Sequence, residues 1–348
     1  MDVSPFDALL YVSFGGPEKP DDVVPFLENV TAGRGIPRER LEEVGEHYFL
    51  FGGKSPINDL NREVIEAVRG DLAGAGIDLP VYWGNRNWDP YLADTMRQMV
   101  DDGVKNAAFL VTSAYSSYSG CRQYREDLAG AVEGLDLQLT RLRLYFNHPG
   151  FVQPFVEGTA EALAGAPEGT RVAYVTHSIP DAMNDSSGGP DVGAYRRQHE
   201  EVARLVTEAV GIAPELTALV YCSRSGSPRT PWLEPDVNDH LEQLAADGAP
   251  GVVVVPIGFV SDHMEVVYDL DTEAKETAER LGLWFRRVAT PGTHPEFVAM
   301  VRDLLLERSS AVRGDDPQRA TVGRCAPNPD VCPIDCCANL RGPKPAVR

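Results

Sequence analysis

A histidine and two acidic side chains follow an apolar run in the second half of the chain. Residues 251–255 are a glycine and four valines, a composition typical of a buried strand, and Asp262, His263 and Glu265 come soon after it. In open parallel α/β sheets, ligands bind beyond the carboxyl ends of the strands. The sequence therefore predicts that chemistry takes place here, with side chains suited to holding a cation or moving a proton.

An acidic row continues from this point. Glu265, Asp269 and Glu273 recur every four residues, which places them on one face of the helix that follows. Like charges in such a row repel one another, so the row either holds a cation or keeps that face in water. The residues alone leave both interpretations open.

His177 is a second candidate for chemistry. It ends an apolar run, and Pro180 limits continuation of the strand, so the histidine falls at the rim of the predicted sheet. A single histidine is more often a hydrogen-bonded core residue. Paired with a carboxylate from a neighbouring strand end, it becomes a metal site or a proton site.

Cysteines are concentrated at the end of the chain. Cys325, Cys332, Cys336 and Cys337 lie within the last 24 residues, whereas Cys121 and Cys222 are scattered. The tail is rich in proline and has little apolar content to fold around. Four thiols in such a segment of a cytoplasmic protein favour metal or cluster ligands over disulfides, with an unligated tail as the alternative.

Composition narrows the class of protein. The 348 residues suffice for about two domains, and 43% hydrophobic with 24% charged residues is typical of a globular chain. The net charge of −20 argues against a nucleic-acid partner, which would need clustered Lys and Arg. No apolar run approaches the roughly 20 residues of a membrane span, and the N-terminus lacks the basic region of a signal peptide. We therefore expect a cytoplasmic protein without a transmembrane segment.

Short apolar runs alternate with amphipathic segments along the chain, which predicts an α/β fold with two parallel sheets flanked by helices. The predicted strands are residues 8–14, 80–84, 107–113, 137–145, 171–176, 216–222, 252–259 and 283–289. The predicted helices are residues 58–72, 93–102, 122–132, 151–164, 195–210 and 237–246. Neither Gly-x-Gly-x-x-Gly nor a Walker pattern occurs, so Gly15 and Gly16 indicate a tight turn or close backbone approach to a ligand rather than a dinucleotide site.

Several of these segments resemble the motifs of one enzyme family. Residues 175–180, Val-Thr-His-Ser-Ile-Pro, resemble the His-Ser-x-Pro motif of ferrochelatases, and residues 258–265 resemble their Gly-Phe-x-x-Asp-x-x-Glu motif. Residues 51–56, 221–226 and 231–235 match further motifs, all in family order over about residues 7–310. The cysteine-rich tail, together with Cys121, is similar to the Gram-positive bacterial ferrochelatases that carry a 2Fe-2S cluster.

The resemblance implies the fold and the reaction. It implies two Rossmann-like domains of the class II chelatase fold, formed by residues 1–147 with 295–313 and by residues 148–294, and a cysteine-rich tail, 314–348. The implied reaction is insertion of ferrous iron into coproporphyrin III in haem biosynthesis, by a monomer. The alternatives are protoporphyrin IX as the substrate, a cobalt chelatase, or a non-catalytic metalloporphyrin or iron-sulfur sensor on the same fold.

The resemblance also assigns site residues. His177 and Glu265 would be catalytic and bind iron, with the pyrrole-proton acceptor left open between them. Asp269 and Glu273 would line a cation path on a widened, π-type helix. Porphyrin contacts would come from Ser55, Tyr124 and Arg34, with Arg122 and Arg125 available for the additional propionates of coproporphyrin.

The chain departs from the family's motifs at two positions. Phe14 stands where many bacterial relatives have a tyrosine, and His47-Tyr48 replaces an Arg-Tyr pair that contacts a propionate. The expected cluster ligands are Cys121, Cys325, Cys332 and one of the adjacent pair, Cys337 in preference to Cys336. Only one of that pair is expected to face the cluster, because successive side chains of an extended segment diverge.

Overall fold

The computed structural model describes residues 1–33, 35–226 and 229–347. Its strands form two sheets of four parallel strands each, with the orders β2-β1-β3-β4 and β6-β5-β7-β8. All eight predicted strands are present. They are β1 (Ala8–Ser13), β2 (Val81–Asn85), β3 (Asn106–Val111), β4 (Gln138–Arg141), β5 (Arg171–His177), β6 (Thr217–Cys222), β7 (Gly251–Val255) and β8 (Trp284–Arg287).

Both sheets are covered by helices on their two faces, which explains why their central strands are apolar throughout. Every residue of β1 and of β7 is buried. The helices are α1 (Val23–Val30), α2 (Arg38–Phe49), α3 (Ile57–Gly74), α4 (Leu92–Asp101), α5 (Gln123–Ala131), α6 (Pro149–Ala164), α7 (Asp181–Asp185), α8 (Ala194–Val210), α9 (Val237–Ala246), α10 (Met264–Val266), α11 (Lys275–Leu281) and α12 (Pro295–Arg313). The six predicted helices correspond to α3, α4, α5, α6, α8 and α9.

Strand register brings the two central motifs to one edge of the second sheet. β5 lies between β6 and β7, with His177 opposite Cys222 and Tyr174 opposite Val255. Because all strands of this sheet are parallel, the residues that follow β5, β6 and β7 emerge at the same edge.

Two helical segments are widened. Residues Val267–Ala274 form a π-helix that joins α10 to α11 without a break, as the family resemblance predicted. A second π-turn spans Tyr118–Arg122 and contains Cys121. Such segments are rare and are frequent at functional sites.

The C-terminal part of the chain, from α12 onward, packs back against earlier elements. Helix α12 packs against α6 and α3, and Ser309 donates a hydrogen bond to the carbonyl of Val3. The tail then contacts several elements through backbone groups, from Val322 to Val347. Among the helices of the described ranges, none is long and apolar enough to cross a membrane.

Candidate active site

His177 and Glu265 face each other at the carboxyl edge of the second sheet. His177 is the last residue of β5, and Glu265 lies in α10, which follows β7. The Nε2 atom of His177 is 3.6 Å from Oε2 of Glu265, and the two side chains are 33% and 54% exposed. The structure therefore brings together the two residues that the sequence singled out, and leaves both open to an entering ligand.

One hydrogen bond fixes the protonation pattern of His177. Its Nδ1 atom lies within hydrogen-bond distance of the backbone carbonyl of Ser178. A carbonyl oxygen can only accept, so Nδ1 carries a hydrogen, and in the neutral ring Nε2 therefore keeps its lone pair. That lone pair is on the side of Glu265, where it can bind a metal ion or take up a proton.

Asp262 and His263, which come shortly before Glu265, have different roles. His263 packs its ring edge-on against Phe259, and burial lowers its pKa, so it adds no positive charge to the site at neutral pH. Asp262 binds the Arg287 guanidinium, 2.8 Å between Oδ2 and Nη2, and also accepts a hydrogen bond from Thr290. Asp262 therefore holds the loop in place and does not face the site.

The acidic row runs outward from Glu265 along the widened helix. Burial raises the pKa of Asp269 to about 7, an effect that Glu265 and Glu273 increase and the hydrogen bond donated by Ser223 opposes. Partial burial also raises the pKa of Glu273, whereas the nearby His47 lowers it. Carboxylates that resist ionisation beside one another would be stabilised by a cation, so both the cation path and the solvated face stay open for this row.

Ser223, which donates to Asp269, has a strained backbone. Its φ of 59° lies in the left-handed region, where residues other than glycine are uncommon. Strain of this kind persists where surrounding structure enforces it, often at a functional site. Here it turns the hydroxyl at the end of β6 toward the acidic row.

An apolar wall lies beside the His177–Glu265 pair. Its fully buried members come from α1, α2 and α10, and Phe14 and Trp88 pack against them. The buried residues of this cluster are Val23, Phe26, Leu27, Leu41, Tyr48 and Met264. Because Met264 precedes Glu265, the wall joins the first sheet's helices to the carboxyl edge of the second sheet, and its half-buried members Phe14 and Trp88 are the ones that a ligand could reach.

Ser55 and Tyr124 are both at the first sheet's edge. Ser55 is buried and its amide donates to the carbonyl of Pro17, in the loop after β1. A Cβ on Gly16 would come within 2.8 Å of the Ser55 Cβ, so glycine permits this close approach. Tyr124 is also buried.

Arg86 was missed by the sequence reasoning. Its guanidinium carbon is 4.5 Å from the centroid of the Tyr124 ring and 5.8 Å from that of Phe14. Asp127 accepts a hydrogen bond from its Nε atom at 2.5 Å. The available signal was its position, directly after β2 at the carboxyl edge of the first sheet.

The other arginine candidates have different outcomes. Arg34 lies outside the described residues. Arg122 and Arg125 do not face the cleft: Arg122 donates to Glu126 and to the carbonyls of Ile334 and Lys344, and Arg125 donates to the carbonyl of Val347. These two side chains anchor the tail, an interaction that the sequence could not reveal because the tail has no periodic pattern.

Four cysteines gather where the tail meets the π-turn of the first sheet. Arg141 donates to the Sγ atoms of Cys121 and Cys332, at 3.2 and 3.1 Å. The Sγ atoms of Cys336 and Cys337 are 3.7 Å apart, and the Gly188 amide donates to Cys337. Hydrogen bonds with Cys121 and Cys336, and the charge of Arg141, hold the pKa of the Cys332 thiol far below its ordinary value.

This cysteine group differs from the expected ligand set in two respects. Cys325 is not in it: the charged neighbours of its thiol are Glu201, Arg197 and Arg204, because the tail is tied to α8 at this point. Cys336 and Cys337 both face inward, because residues 334–337 form a turn rather than an extended segment and Cys337 has a φ of 54°.

The thiols are gathered without being set at metal-binding positions. Within the described ranges, no three His, Cys, Asp or Glu side chains are grouped so that they could hold a metal ion. All six cysteines are free, and Cys222 is a buried thiol at the end of β6, as expected.

Comparisons with known proteins place this geometry in a family. The ferrochelatase sequence profile matches residues 6–309. The chain belongs to the ferrochelatase family. The coproporphyrin III ferrochelatase of Streptomyces coelicolor is 58% identical over 100% of this chain and 97% of that protein. The coproporphyrin III ferrochelatase of Mycolicibacterium smegmatis is 51% identical, over 90% and 94% of the two chains.

A solved structure supports the fold of this ferrochelatase-family chain. The cobalt complex of the sirohydrochlorin chelatase SirB from Bacillus subtilis subspecies spizizenii superposes with a TM-score of 0.53, over 88% of this chain and 97% of that one. The identity is 12%, so this likeness concerns the fold alone.

The two departures from ferrochelatase motifs have structural consequences. Phe14 lies under the Arg86 guanidinium and packs edge-on against Phe26, so it contributes to the apolar wall. His47 stacks on Tyr268, with ring centroids 3.9 Å apart and an interplanar angle of 9°. This stack joins α2 to the π-helix directly beside the acidic row.

Proposed function

We propose that the protein inserts ferrous iron into coproporphyrin III to give Fe-coproporphyrin III, as a lyase of haem biosynthesis. The observation that carries the proposal is the half-exposed His177–Glu265 pair, 3.6 Å between Nε2 and Oε2, at the end of an apolar wall. Relatives that are 47–58% identical over nearly the whole chain are named coproporphyrin III ferrochelatase, which favours this substrate over protoporphyrin IX.

The reaction replaces two pyrrole N–H bonds by bonds to iron. Two protons must leave the ring as Fe²⁺ enters, and the metal must shed its water. A neutral imidazole nitrogen and a carboxylate oxygen suit ferrous iron, and the same atoms can accept protons. His177, with its lone pair on Nε2, and Glu265 would share these two roles.

Asp269 and Glu273 would guide the metal ion along the π-helix. Burial raises the pKa of Asp269 to about 7, so near neutral pH this carboxyl exchanges its proton readily. An arriving cation would displace that proton to solvent, and solvent would return a proton when the cation leaves. The row would therefore give cations and protons a path between the His177–Glu265 pair and water.

Porphyrin binding would use the wall and polar groups around it. Ser55 and Tyr124 are proposed ring and propionate contacts, together with Arg34, which lies outside the described residues. Arg86 joins them, because its guanidinium lies over the Tyr124 ring at the edge of the first sheet. Arg122 and Arg125 are withdrawn from this role, since both side chains are buried and donate to backbone carbonyls of the tail.

An anaerobic assay tests the reaction. Purified protein is mixed with coproporphyrin III or protoporphyrin IX at equal concentration, and with Fe²⁺, Co²⁺ or Zn²⁺. We expect Fe-coproporphyrin III to form fastest among the iron reactions. A clear preference for protoporphyrin IX would overturn the substrate assignment, a requirement for cobalt would favour a cobalt chelatase, and tight porphyrin binding without metallation would favour the sensor alternative.

We propose that Cys121, Cys332, Cys336 and Cys337 hold a 2Fe-2S cluster. Three observations support this proposal: Arg141 donates to the sulfurs of both Cys121 and Cys332, the sulfurs of Cys336 and Cys337 are 3.7 Å apart, and the buried Nε of Arg141 has no hydrogen-bond partner among the described residues. A bound cluster would cross-link the tail to the first sheet. Relative to the sequence expectation, Cys336 replaces Cys325.

Domain boundaries, oligomeric state and location remain part of the proposal. We propose the domains 1–147 with 295–313 and 148–294, since each contains one complete sheet, and a tail of residues 314–348. Free thiols throughout favour a reducing compartment such as the cytoplasm. A monomer is expected, and light scattering of the purified protein would test it.

A further inference from the structure

A buried tyrosine on α8 contacts the strand end that carries His177. The hydroxyl of Tyr195 donates a hydrogen bond to the carbonyl of His177 over 2.8 Å, and its oxygen is 2.9 Å from Oγ1 of Thr176. Tyr195 is 7% exposed and Thr176 is fully buried. The contact therefore reaches the backbone of His177 from the interior of the protein, whereas the imidazole faces the cleft.

The end of β5 has room for this contact because the neighbouring strand is shorter. β7 ends at Val255, and β5 continues to His177, three residues past the one that pairs with Val255. The carbonyl of Val175 accepts from the Gly258 amide, and the carbonyl of His177, two residues on, accepts from Tyr195. Beyond the end of β7, the tyrosine hydroxyl thus takes the place of a strand partner.

His199 fixes the direction of the hydrogen bonds around Tyr195. Nδ1 of His199 is 2.8 Å from the backbone carbonyl of Tyr195, which can only accept, so Nδ1 carries a hydrogen. Burial lowers the pKa of His199 to about 3, so the ring is neutral and Nε2 keeps a lone pair. Nε2 is 2.8 Å from Oγ1 of Thr176, so Thr176 donates its hydrogen to His199. The Tyr195 hydrogen therefore lies between two acceptors on consecutive residues, Thr176 and His177.

The surroundings hold this network in one arrangement. His199 stacks on Tyr115, with ring centroids 3.5 Å apart and an interplanar angle of 16°, and the Tyr115 hydroxyl donates to the carbonyl of Ile257. A Cβ on Gly258 would lie 2.1 Å from Oγ1 of Thr176, so the loop after β7 packs directly on the threonine. Loops of both sheets thus enclose the hydrogen bonds behind His177.

The peptide between His177 and Ser178 is held at both of its polar groups. Its carbonyl accepts from Tyr195, and its amide donates to the carbonyl of Cys222 over 2.8 Å. The next carbonyl, that of Ser178, accepts from Nδ1 of His177. The hydrogen bond of one ring nitrogen sets the state of the other, so rotation of this peptide would remove the reason for a lone pair on Nε2.

We propose that Tyr195 is a positioning residue for metallation, because its hydroxyl fixes the His177–Ser178 peptide so that the imidazole presents the Nε2 lone pair to Glu265. The inference rests on the proposed roles of His177 and Glu265. Tyr195 acts through the backbone of His177 and not on the substrate. Removal of its hydroxyl should therefore slow metallation and leave porphyrin binding unchanged.

Tyr174 provides a matched control. It is also buried, and its hydroxyl also joins β5 to α8, because Oγ1 of Thr207 lies 2.9 Å away. Thr207 donates its own hydrogen to the Ala203 carbonyl, so Tyr174 is the donor to Thr207. Tyr174→Phe and Tyr195→Phe each remove one buried hydroxyl donor between the same two elements, and only Tyr195→Phe removes a hydrogen bond to His177.

Anaerobic single-turnover metallation of coproporphyrin III measures the rate in each variant, and porphyrin fluorescence quenching measures binding. We expect Tyr195→Phe to lower the metallation rate about 10- to 100-fold, the scale of a misplacement of about 1 Å, with an unchanged dissociation constant for the porphyrin. Tyr174→Phe should match the parent protein in both properties.

The His177 ring gives a second measurement that needs no substrate. Two-bond ¹H–¹⁵N spectra of protein labelled with [¹⁵N]histidine distinguish the two tautomers at pH 8, above the ordinary titration range of histidine. The signal that is missing in His177→Ala identifies His177. We expect the Nδ1–H form in the parent protein and in Tyr174→Phe, and a mixture of tautomers in Tyr195→Phe.

Several results would overturn the proposal. An even mixture of His177 tautomers in the parent protein would do so whatever the variants show. Parental rates in Tyr195→Phe, equal slowing in Tyr174→Phe, or a loss of porphyrin binding as large as the loss of rate would do the same. Slowing with an unchanged His177 signal would show that the hydroxyl does not act through the imidazole. If the parent protein metallates no porphyrin, the proposed function fails, while the spectra still decide whether Tyr195 positions His177.

Discussion

The two polar centres of this molecule carry opposite kinds of charge: one is rich in carboxylates, and the other surrounds a buried arginine with thiols. At the edge of the second sheet, carboxylates crowd together and His177 and Glu265 stay half-exposed. At the edge of the first sheet, thiols crowd around Arg141, and both Cys336 and Cys337 are buried. The first arrangement suits the proposed exchange of a cation, whereas the second suits a group that stays in place.

Exposure and charge together explain why the first centre suits exchange of a ligand and the second suits its retention. Burial raises the pKa values of Asp269 and Glu273, so protons could compensate there when the proposed cation leaves. A buried guanidinium surrounded by sulfur gives its ligand no comparable route. Changing each centre in turn should therefore affect different properties of the protein.

The largest effect is expected on metallation, from substitutions at the open centre. His177→Ala and Glu265→Gln should each lower the metallation rate about 100- to 10,000-fold, because each removes one iron ligand or proton acceptor. Porphyrin binding should be retained, since neither side chain belongs to the buried core. Anaerobic single-turnover kinetics with coproporphyrin III checks the rate, and fluorescence quenching checks binding. Glu276→Gln, at an exposed position farther along the same helix, is the control. Parental rates in either site variant would contradict the assignment.

At the closed centre, the expected effect is on iron content and stability. Cys332→Ser should abolish the cluster, because Cys332 contacts Arg141 and lies beside Cys121 and Cys336. Cys325→Ser should keep it, because the Cys325 thiol lies beside Glu201 instead. Iron and sulfide analysis with visible absorption distinguishes the two, and loss of the tail's cross-link should lower the thermal midpoint of Cys332→Ser. A full cluster in Cys332→Ser would disprove this ligand set.

The two centres were also unequally predictable from the sequence. His177 and Glu265 follow apolar runs, and parallel strands deliver such residues to a common edge, so periodicity and motif together identified the pair. The eight strands were predicted from the same apolar runs. Helices α1 and α2 were missed, because Pro25 interrupts the first and the second carries six charged residues in twelve with a weak apolar face.

The cysteine group was only partly predictable, because no repeating pattern governs the tail. The spacing of thiols indicated a ligand set but not which ones meet. The turn at residues 334–337, which lets Cys336 and Cys337 point the same way, depends on the left-handed backbone of Cys337. The roles of Arg122 and Arg125 were equally hidden, since they depend on tail carbonyls about 212 and 222 residues away along the chain.

Stability as a function of pH tests the carboxylate row. The raised pKa of Asp269 means that the folded state binds its proton more tightly than the unfolded chain, so stability is lost as pH rises from about 3.8 to about 7. Asp269→Asn removes that cost. After allowance for partial solvent screening, the variant should gain about 1–3 kcal/mol relative to the parent at pH 8 but little at pH 4. Urea unfolding at both pH values measures the difference, and an equal effect at the two would show that ionisation of Asp269 is not its cause.

The smallest expected effect lies at the contact between α2 and the π-helix. His47 stacks on Tyr268 with ring centroids 3.9 Å apart, and aromatic pairs contribute about 0.5–1.5 kcal/mol. His47→Ala should lower the free energy of unfolding by about that amount, and His47→Phe should lose less because it keeps a flat ring. Urea unfolding of both variants provides the measurement.

The pKa of Glu273 in the acidic row gives a second measurement, because His47 lowers that pKa. Both substitutions remove that nearby imidazole, so the pKa of Glu273 should rise equally in the two. Equal destabilisation by Ala and Phe would show that the flat ring of His47 is not what stabilises this contact.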